Sequence, residues 1–330
     1  MSTGTYSVCA FVLASLMLSP QVPAVANVEL MPQTLEAFDR YVRATEARID
    51  KEQARPETFL YIDAIPDPKQ GEVQAALKRG DVYVERLVTR DPSGKEINVP
   101  GGLIHHWVGD TFIPGLSVRQ VLEFVEDYDN HQNVYPEVVR SRLISRDGND
   151  FKIALRLRYK KIITITLNTE HDVRYTELDP THWYSRSAST RIAEVKNAGS
   201  PDETEKPVGH DGGFLWRINS YWGFVERDGG VYVECESVSL TREIPAGLGW
   251  LIRPFVTGIP QESLEHTLGA TRSGASARNG RTGGTQKVLN LVPRISRSVI
   301  PSPHSERCAK VVEAGDDFLY LTSRSSRGRY

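Results

Sequence analysis

Six runs of alternating apolar and polar residues follow one another between Arg140 and Arg242, separated by turn-forming residues and never by a helical stretch. They are Arg140–Arg146, Phe151–Tyr159, Ile162–Tyr175, Trp183–Val195, Phe214–Val225 and Val231–Arg242. Parallel neighbours need a crossover of about a dozen residues or more, usually helical, so this succession excludes a doubly wound parallel sheet and predicts an antiparallel one. A further strand, Leu103–Pro114, comes before them. Between it and the run of six, Ser117 is placed as an N-cap, and Val118, Val121, Leu122, Phe124 and Val125 share one helical face. Helical patterning returns at Leu248–Phe255 and at Pro260–Arg272, where Leu264, Thr267, Leu268 and Thr271 line one side. The order is strand, helix, many antiparallel strands and a long terminal helix, an α+β class.

The last hairpin can be read at the level of faces. With Asp228-Gly229 as a two-residue turn, Trp222 opposes Cys235, Ser220 opposes Ser237 and Ile218 opposes Ser239. Large residues meet small ones on that face, which also holds Phe214, Trp216 and Phe224. Arg217, Asn219 and Tyr221 fall on the other face, against Leu240, Val238 and Glu236, and that side reads as more polar.

Flanking segments divide the chain further. Residues 1–26 read as a signal peptide: Val8–Leu18 is an apolar run of eleven residues, and Ala24-Val25-Ala26 supplies a small-residue cleavage site. Positive charge at its start comes only from the amino terminus. Export to the periplasm or the medium is the expectation, and no other segment approaches the roughly eighteen apolar residues of a membrane span. Only Cys235 and Cys308 would remain after cleavage, so the exported chain is not a disulfide scaffold. Residues 27–100 read as a mostly helical extension. Leu35, Phe38, Tyr41, Val42 and Ile49 recur at helical spacing, with Thr34 placed to cap. From 273 to 330 the chain is rich in Gly, Ser, Thr and Arg and carries ten Lys and Arg against four Asp and Glu, the composition of a flexible, disordered basic tail. Such a tail could touch an anionic membrane surface. The whole chain has a formal charge of -2, so the body is mildly acidic and shows no basic stripe suited to nucleic acid.

The region 101–272 resembles the START-like, or helix-grip, superfamily, which includes polyketide cyclases, steroidogenic lipid-transfer domains and coenzyme Q-binding proteins. The phrases that carry the resemblance are Gly101-Gly102-Leu103-Ile104-His105-His106-Trp107, Gly213–Trp222 and Ile244–Leu251, and it covers about half the chain. It implies a curved antiparallel sheet packed on the long C-terminal helix, with an apolar cavity between them. On that basis the expected ligand is a hydrophobic small molecule, lipid or isoprenoid-like, walled by Trp216, Ile218 and Trp222 from the sheet and Leu264 and Leu268 from the helix. The alternatives are a cyclase or aromatase-like enzyme, which would need Tyr221, Glu236 or Arg217 to point inward, and a structural module whose cavity is filled by side chains.

No residue is assigned a catalytic role, and no cofactor or metal is implied. His105 and His106 are strand neighbours on opposite faces and cannot share an ion locally. Glu234 and Glu236 share a face and are expected to pair with Arg217 or another sheet cation. Asp127-Tyr128-Asp129 reads as turn and capping chemistry, and Arg156, Arg158, Asp172 and Arg174 as a salted solvent face. Ser187 and Ser189 with Arg186 and Arg191 are a weak candidate for an anionic headgroup. The oligomeric state is not specified by the sequence.

Overall fold

The computed structural model describes residues 26–161, 163–244 and 258–289. Its strands are β1 (Val28–Glu29), β2 (Tyr83–Arg86), β3 (Gly102–Pro114), β4 (Val138–Asp147), β5 (Asp150–Lys160), β6 (Thr164–Asp179), β7 (His182–Lys196), β8 (Thr204–Glu205), β9 (His210–Asp211), β10 (Arg217–Arg227) and β11 (Gly230–Arg242). Its α-helices are α1 (Pro32–Gln53), α2 (Lys69–Arg79), α3 (Val118–Val125) and α4 (Ile259–Leu289). The main sheet has the order β2-β3-β11-β10-β7-β6-β5-β4, with β8 paired to β7, and every pairing is antiparallel. This is the expected α+β helix-grip arrangement, a curved sheet holding a C-terminal helix.

The β10–β11 hairpin has the expected register, with Trp222 opposite Cys235 and Arg217 opposite Leu240. Its turn fits the reason for that choice: Asp228 (φ 57°) and Gly229 (φ 77°) both occupy the left-handed region that a tight two-residue turn requires. α3 begins as predicted, because Ser117 accepts from the Gln120 backbone while Gln120 Oε1 accepts from the Ser117 N–H at 2.9 Å.

Both faces of the sheet are covered. On the inner face, Val121, Leu122 and Val125 of α3 and Leu264 and Leu268 of α4 share a core with Ile113, Phe224 and Val233. On the outer face, Phe38, Tyr41 and Val42 of α1 pack with Tyr221, Val238 and Leu240. Farther along, Leu60, Ile62 and Leu77 cover Phe112, Val225 and Tyr232. The outer face carries the more polar set, as expected, with Arg217, Asn219, Glu234 and Glu236, but it is not left to solvent. The N-terminal extension lays its own apolar stripe there and buries it. Thr34 is not the expected cap of α1: the helix starts at Pro32, and the Thr34 hydroxyl donates to the Pro100 carbonyl at 2.6 Å.

α4 also corrects the expected boundary at Arg272. It continues through Ser273, with Ala275 buried and Arg278 reaching the Glu123 carbonyl at 3.2 Å and Asp127 Oδ2 at 3.1 Å. Small residues that make a poor isolated helix are tolerated here because tertiary contacts hold them. A second compact unit begins at Lys287, and only the last helical residues of it are described; the remainder of the tail and Leu248–Phe255 lie outside the described residues.

Two glycines allow α4 to sit close. A Cβ on Gly109 of β3 would stand 2.7 Å from Leu268 Cδ1 and 3.0 Å from the Tyr83 carbonyl oxygen, and one on Gly274 would stand 2.4 Å from the Phe124 ring. Gly109→Ala is expected to lower stability by about 1–3 kcal/mol through overpacking. Urea unfolding checks it, and an unchanged midpoint would mean that Leu268 is free to move aside.

Candidate functional site

Alternation along β10 turns Ile218, Ser220, Trp222 and Phe224 inward, and the register sets small partners beside them. Ser187 on β7, Ser220 on β10 and Ser237 on β11 form one row straight across three strands. A floor of hydroxymethyl groups lies low beneath α4, and the first turns of the helix do not fill the space above it.

That space forms two chambers. The first, about 150 Å³, is walled by Ile165 and Leu167 of β6, by Phe214 and Leu215, and by Ile259 and Leu264 of α4. Its floor is Cys235, Ser237, Ser239 and Thr241 of β11. The second, about 190 Å³, lies under α3 and the turn that follows it, among Val125, Tyr128, His131 and Tyr135, with Ile153, Val173 and Ser185 from the strands. Tyr159, Ile218, Ser220, Trp222, Ser263 and Thr267 border both chambers. The alternative of a cavity filled by side chains is not what the described residues show.

Burial favours the neutral forms of the phenols and imidazoles of the second chamber. The Tyr128 and Tyr175 hydroxyls meet at 2.8 Å, and desolvation pushes both phenols well up. Tyr135, hydrogen-bonded to Thr271 at 3.2 Å, and Tyr159, bonded to Ser263, are each pushed up to about 12, mainly by desolvation. Burial lowers His131 and His171 to about 4. His131 Nε2 donates to the Val125 carbonyl at 3.0 Å, and His171 Nε2 bonds Thr169 Oγ1 at 2.9 Å.

Of the predicted wall, Ile218 and Trp222 border both chambers and Leu264 borders the first. Leu268 is fully buried against Gly109 and belongs to the helix–sheet contact rather than to the lining. Trp216 is a correction. It precedes the start of β10, its side chain lies in the outer-face core beside α1, and its Nε1 donates to Asp211 Oδ1 at 3.1 Å. Strand alternation does not extend to a residue outside the strand. Tyr128, Tyr135, Tyr159, His131 and His171 were not expected in the site, because their places depend on sheet curvature and on the α3–β4 turn.

The polar residues that an enzyme reading would need inside are on the outer face. Tyr221 donates to Glu46 of α1 at 3.1 Å, and Arg217 lies near Asp39. Glu236 pairs with Arg48 and accepts from His106 Nε2 at 2.7 Å, while Tyr41 donates to His106 Nδ1 at 2.9 Å. Burial alone would raise Glu236, but the His106 hydrogen bond and the Arg48 charge hold it below the usual range. Its cation comes from α1, not from the sheet as expected. His105 points inward to Thr241 Oγ1 at 2.9 Å, so the two histidines do face opposite ways. The proposed headgroup cluster is divided: Ser187 faces the second chamber, whereas Arg186 pairs with Asp50 and Arg191 with Glu205. Among the described residues no group of three His, Cys, Asp or Glu is placed to hold a metal, and no helix is long and apolar enough to cross a membrane.

No family model and no curated protein matches the sequence. Among solved structures, the chain is similar to a STAR-related lipid transfer protein fragment from Xanthomonas axonopodis, at 16% identity and TM-score 0.38, over 58% of this chain and 98% of that one. It is also similar to the Zhui aromatase/cyclase from a Streptomyces species, at 12% identity and TM-score 0.36, over 53% and 96%. Human STARD10 matches at 9% identity and TM-score 0.36, over 68% and 85%. The class itself is read from this chain's own strand order and helix placement: a helix-grip arrangement of α+β class, with a further layer on the outer face of the sheet.

That added layer contains a second constellation. Asp110, fully buried, and Glu234, half-buried, are cross-strand neighbours, and neither Asp110 side-chain oxygen has a hydrogen-bond donor among the described residues. A proton on either carboxyl lets it donate to the other. Desolvation, then the Asp63 charge, raises Asp110; desolvation, then the Asp110 charge, raises Glu234. In the unfolded chain both titrate near pH 4 or so. The folded state thus binds protons more tightly, and its stability falls as pH rises from about 4 through the raised folded values. Asp110→Asn is expected to flatten that decline, measured as the urea midpoint between about pH 5 and about pH 9; an unaltered slope would contradict it.

Proposed function

We propose that this chain binds and carries a hydrophobic small molecule in the two chambers between the inner sheet face and α4. The observation that carries this reading is the row Ser187–Ser220–Ser237. It leaves room under the helix where a continuous row of large residues would have closed the core. Each methylene that a ligand buries there contributes about 0.8 kcal/mol, so an apolar tail can be held without any ion pair. The lipid-transfer and aromatase/cyclase neighbours named above are what their names say, and hydrophobic ligand binding is the coarse property that this chain is proposed to share with them. The cyclase alternative in the form first considered lacks its residues, since Tyr221, Glu236 and Arg217 all lie across the sheet from the chambers.

Trp222 borders both chambers, so ligand binding is expected to change its fluorescence. Trp222→Phe should remove most of that response, while displacement of an apolar dye such as Nile red still reports binding. Organic extraction of the purified protein should yield a bound apolar molecule. Empty extracts together with no dye binding would end the carrier reading.

Export remains part of the proposal. The two residues that would follow closely on a cut after Ala26, Val28 and Glu29, are paired to Asp211 and His210, so a mature chain beginning at Asn27 would have its end tied to the body. N-terminal sequencing of protein recovered from the periplasm or medium is expected to read Asn-Val-Glu-Leu. An intact amino terminus at Met1, with the protein retained inside the cell, would refute export.

A further inference from the structure

We infer that the ligand is an uncharged amphiphile whose single hydroxyl or carbonyl group lies at the junction of the two chambers, over Ser187 and Ser220. This rests on the carrier reading and narrows it. Among the described residues, neither chamber is lined by Lys, Arg or Asp. Glu137 is the one acidic side chain at the boundary, and its Oε1 is already engaged by His266 Nδ1 at 2.7 Å. Among the described residues an anion would therefore meet no lining counter-charge and one negative neighbour. The remaining titratable groups facing the space give it none either. His131 and His171 are uncharged near neutral pH, the four tyrosines hold their protons, and burial raises the Cys235 thiol. A buried ion without a partner is strongly disfavoured, and it enters only by losing its charge.

Hydroxyls, by contrast, are available. The phenols of Tyr128, Tyr135 and Tyr159 are bonded to other side chains, as are His131 and His171 to their own partners. Among the described residues the hydroxyls of Ser185, Ser187, Ser220 and Ser237 make no side-chain hydrogen bond within the protein. Ser185 is only 1% exposed, yet it borders the second chamber. A serine hydroxyl both donates and accepts, so this group can satisfy an alcohol or a carbonyl equally, while the apolar walls on either side take the hydrocarbon.

The test is displacement of Nile red from the full chain by decanol, decanoic acid and decylamine at about pH 6 and about pH 8. Decanol is expected to compete equally at both. Decanoic acid should lose roughly tenfold per pH unit, because only its protonated form enters, and decylamine should be at least about tenfold weaker than decanol. Replacing both Ser187 and Ser220 by Ala should weaken decanol about fivefold and leave 1-chlorodecane unchanged. Decanoate competing as well as decanol at the higher pH, decylamine competing better, or the double variant affecting both neutral ligands alike would overturn the inference and leave the carrier reading standing. Failure of Nile red to bind at all would overturn both.

Discussion

The seat of Leu268 on Gly109 sets the distance between helix and sheet, and the ligand space depends on that distance. Leu268 and Gly274 hold the middle of α4 down, one onto β3 and one onto the Phe124 ring. Ile259 to Thr267, earlier in the helix, then pass over the serine row without reaching it. A side chain on Gly109 would lift the helix, and a large one at Ser220 would meet it. Close contact from Leu268 to Arg278 and open space under Ile259–Thr267 are two outcomes of one helix crossing a curved floor.

The outer layer stiffens that floor. An antiparallel sheet can leave one face to water, but here α1, α2 and the segment 59–65 cover the central strands β3, β11 and β10. Their burial takes a set of ionisable groups with them. The chain of hydrogen bonds from the Thr89 amide to Tyr41, His106 and Glu236, closed by Arg48, is fully partnered and ties α1 to two strands. This arrangement requires the His106 proton on Nε2, since Nδ1 accepts from Tyr41. Beside it, Asp110 is partnered only when it or Glu234 carries a proton. The layer therefore holds one network that is stable as ions and one pair that is stable only with a shared proton, within neighbouring positions of β11.

Much of this was legible in the sequence because strand parity is a strong constraint. The antiparallel class, the Asp228-Gly229 turn and the inward placement of Ile218 and Trp222 all follow from a period of two and a turn that needs positive φ. The helical stripe of Phe38, Tyr41 and Val42 showed that the extension must lie on something, but not on which face. The stripe alone therefore did not show that the more polar side of the sheet is the one it covers. Trp216 failed for a related reason: parity was carried one residue beyond the strand. The tyrosines and histidines of the second chamber were not legible at all, because they converge from the α3–β4 turn, β5 and β6 through curvature, which has no local sequence signature. In the segment after Arg272, the Gly- and Ser-rich composition predicts a disordered tail, whereas α4 continues to Leu289, and Gly274 and Ala275 are what allow it to approach Phe124.

Parity also separates charge from ligand. Along β11 the order Glu234, Cys235, Glu236 places two carboxyls outward and a thiol inward; along β7, Arg186 faces out and Ser187 in. A slip of one residue in the β10–β11 pairing would turn an entire strand over, bringing carboxylates into the apolar chamber and Cys235 under Arg48. Neither could find a partner there. The left-handed pair at Asp228 and Gly229 fixes the loop length and so prevents the slip at its source, while Lys78 and the Tyr232 hydroxyl bind the Asp228 carboxylate and hold the turn. A neutral cavity and a charged outer layer are thus a single property of this sheet, set by one turn and maintained by the cost of burying the wrong side chain on either face.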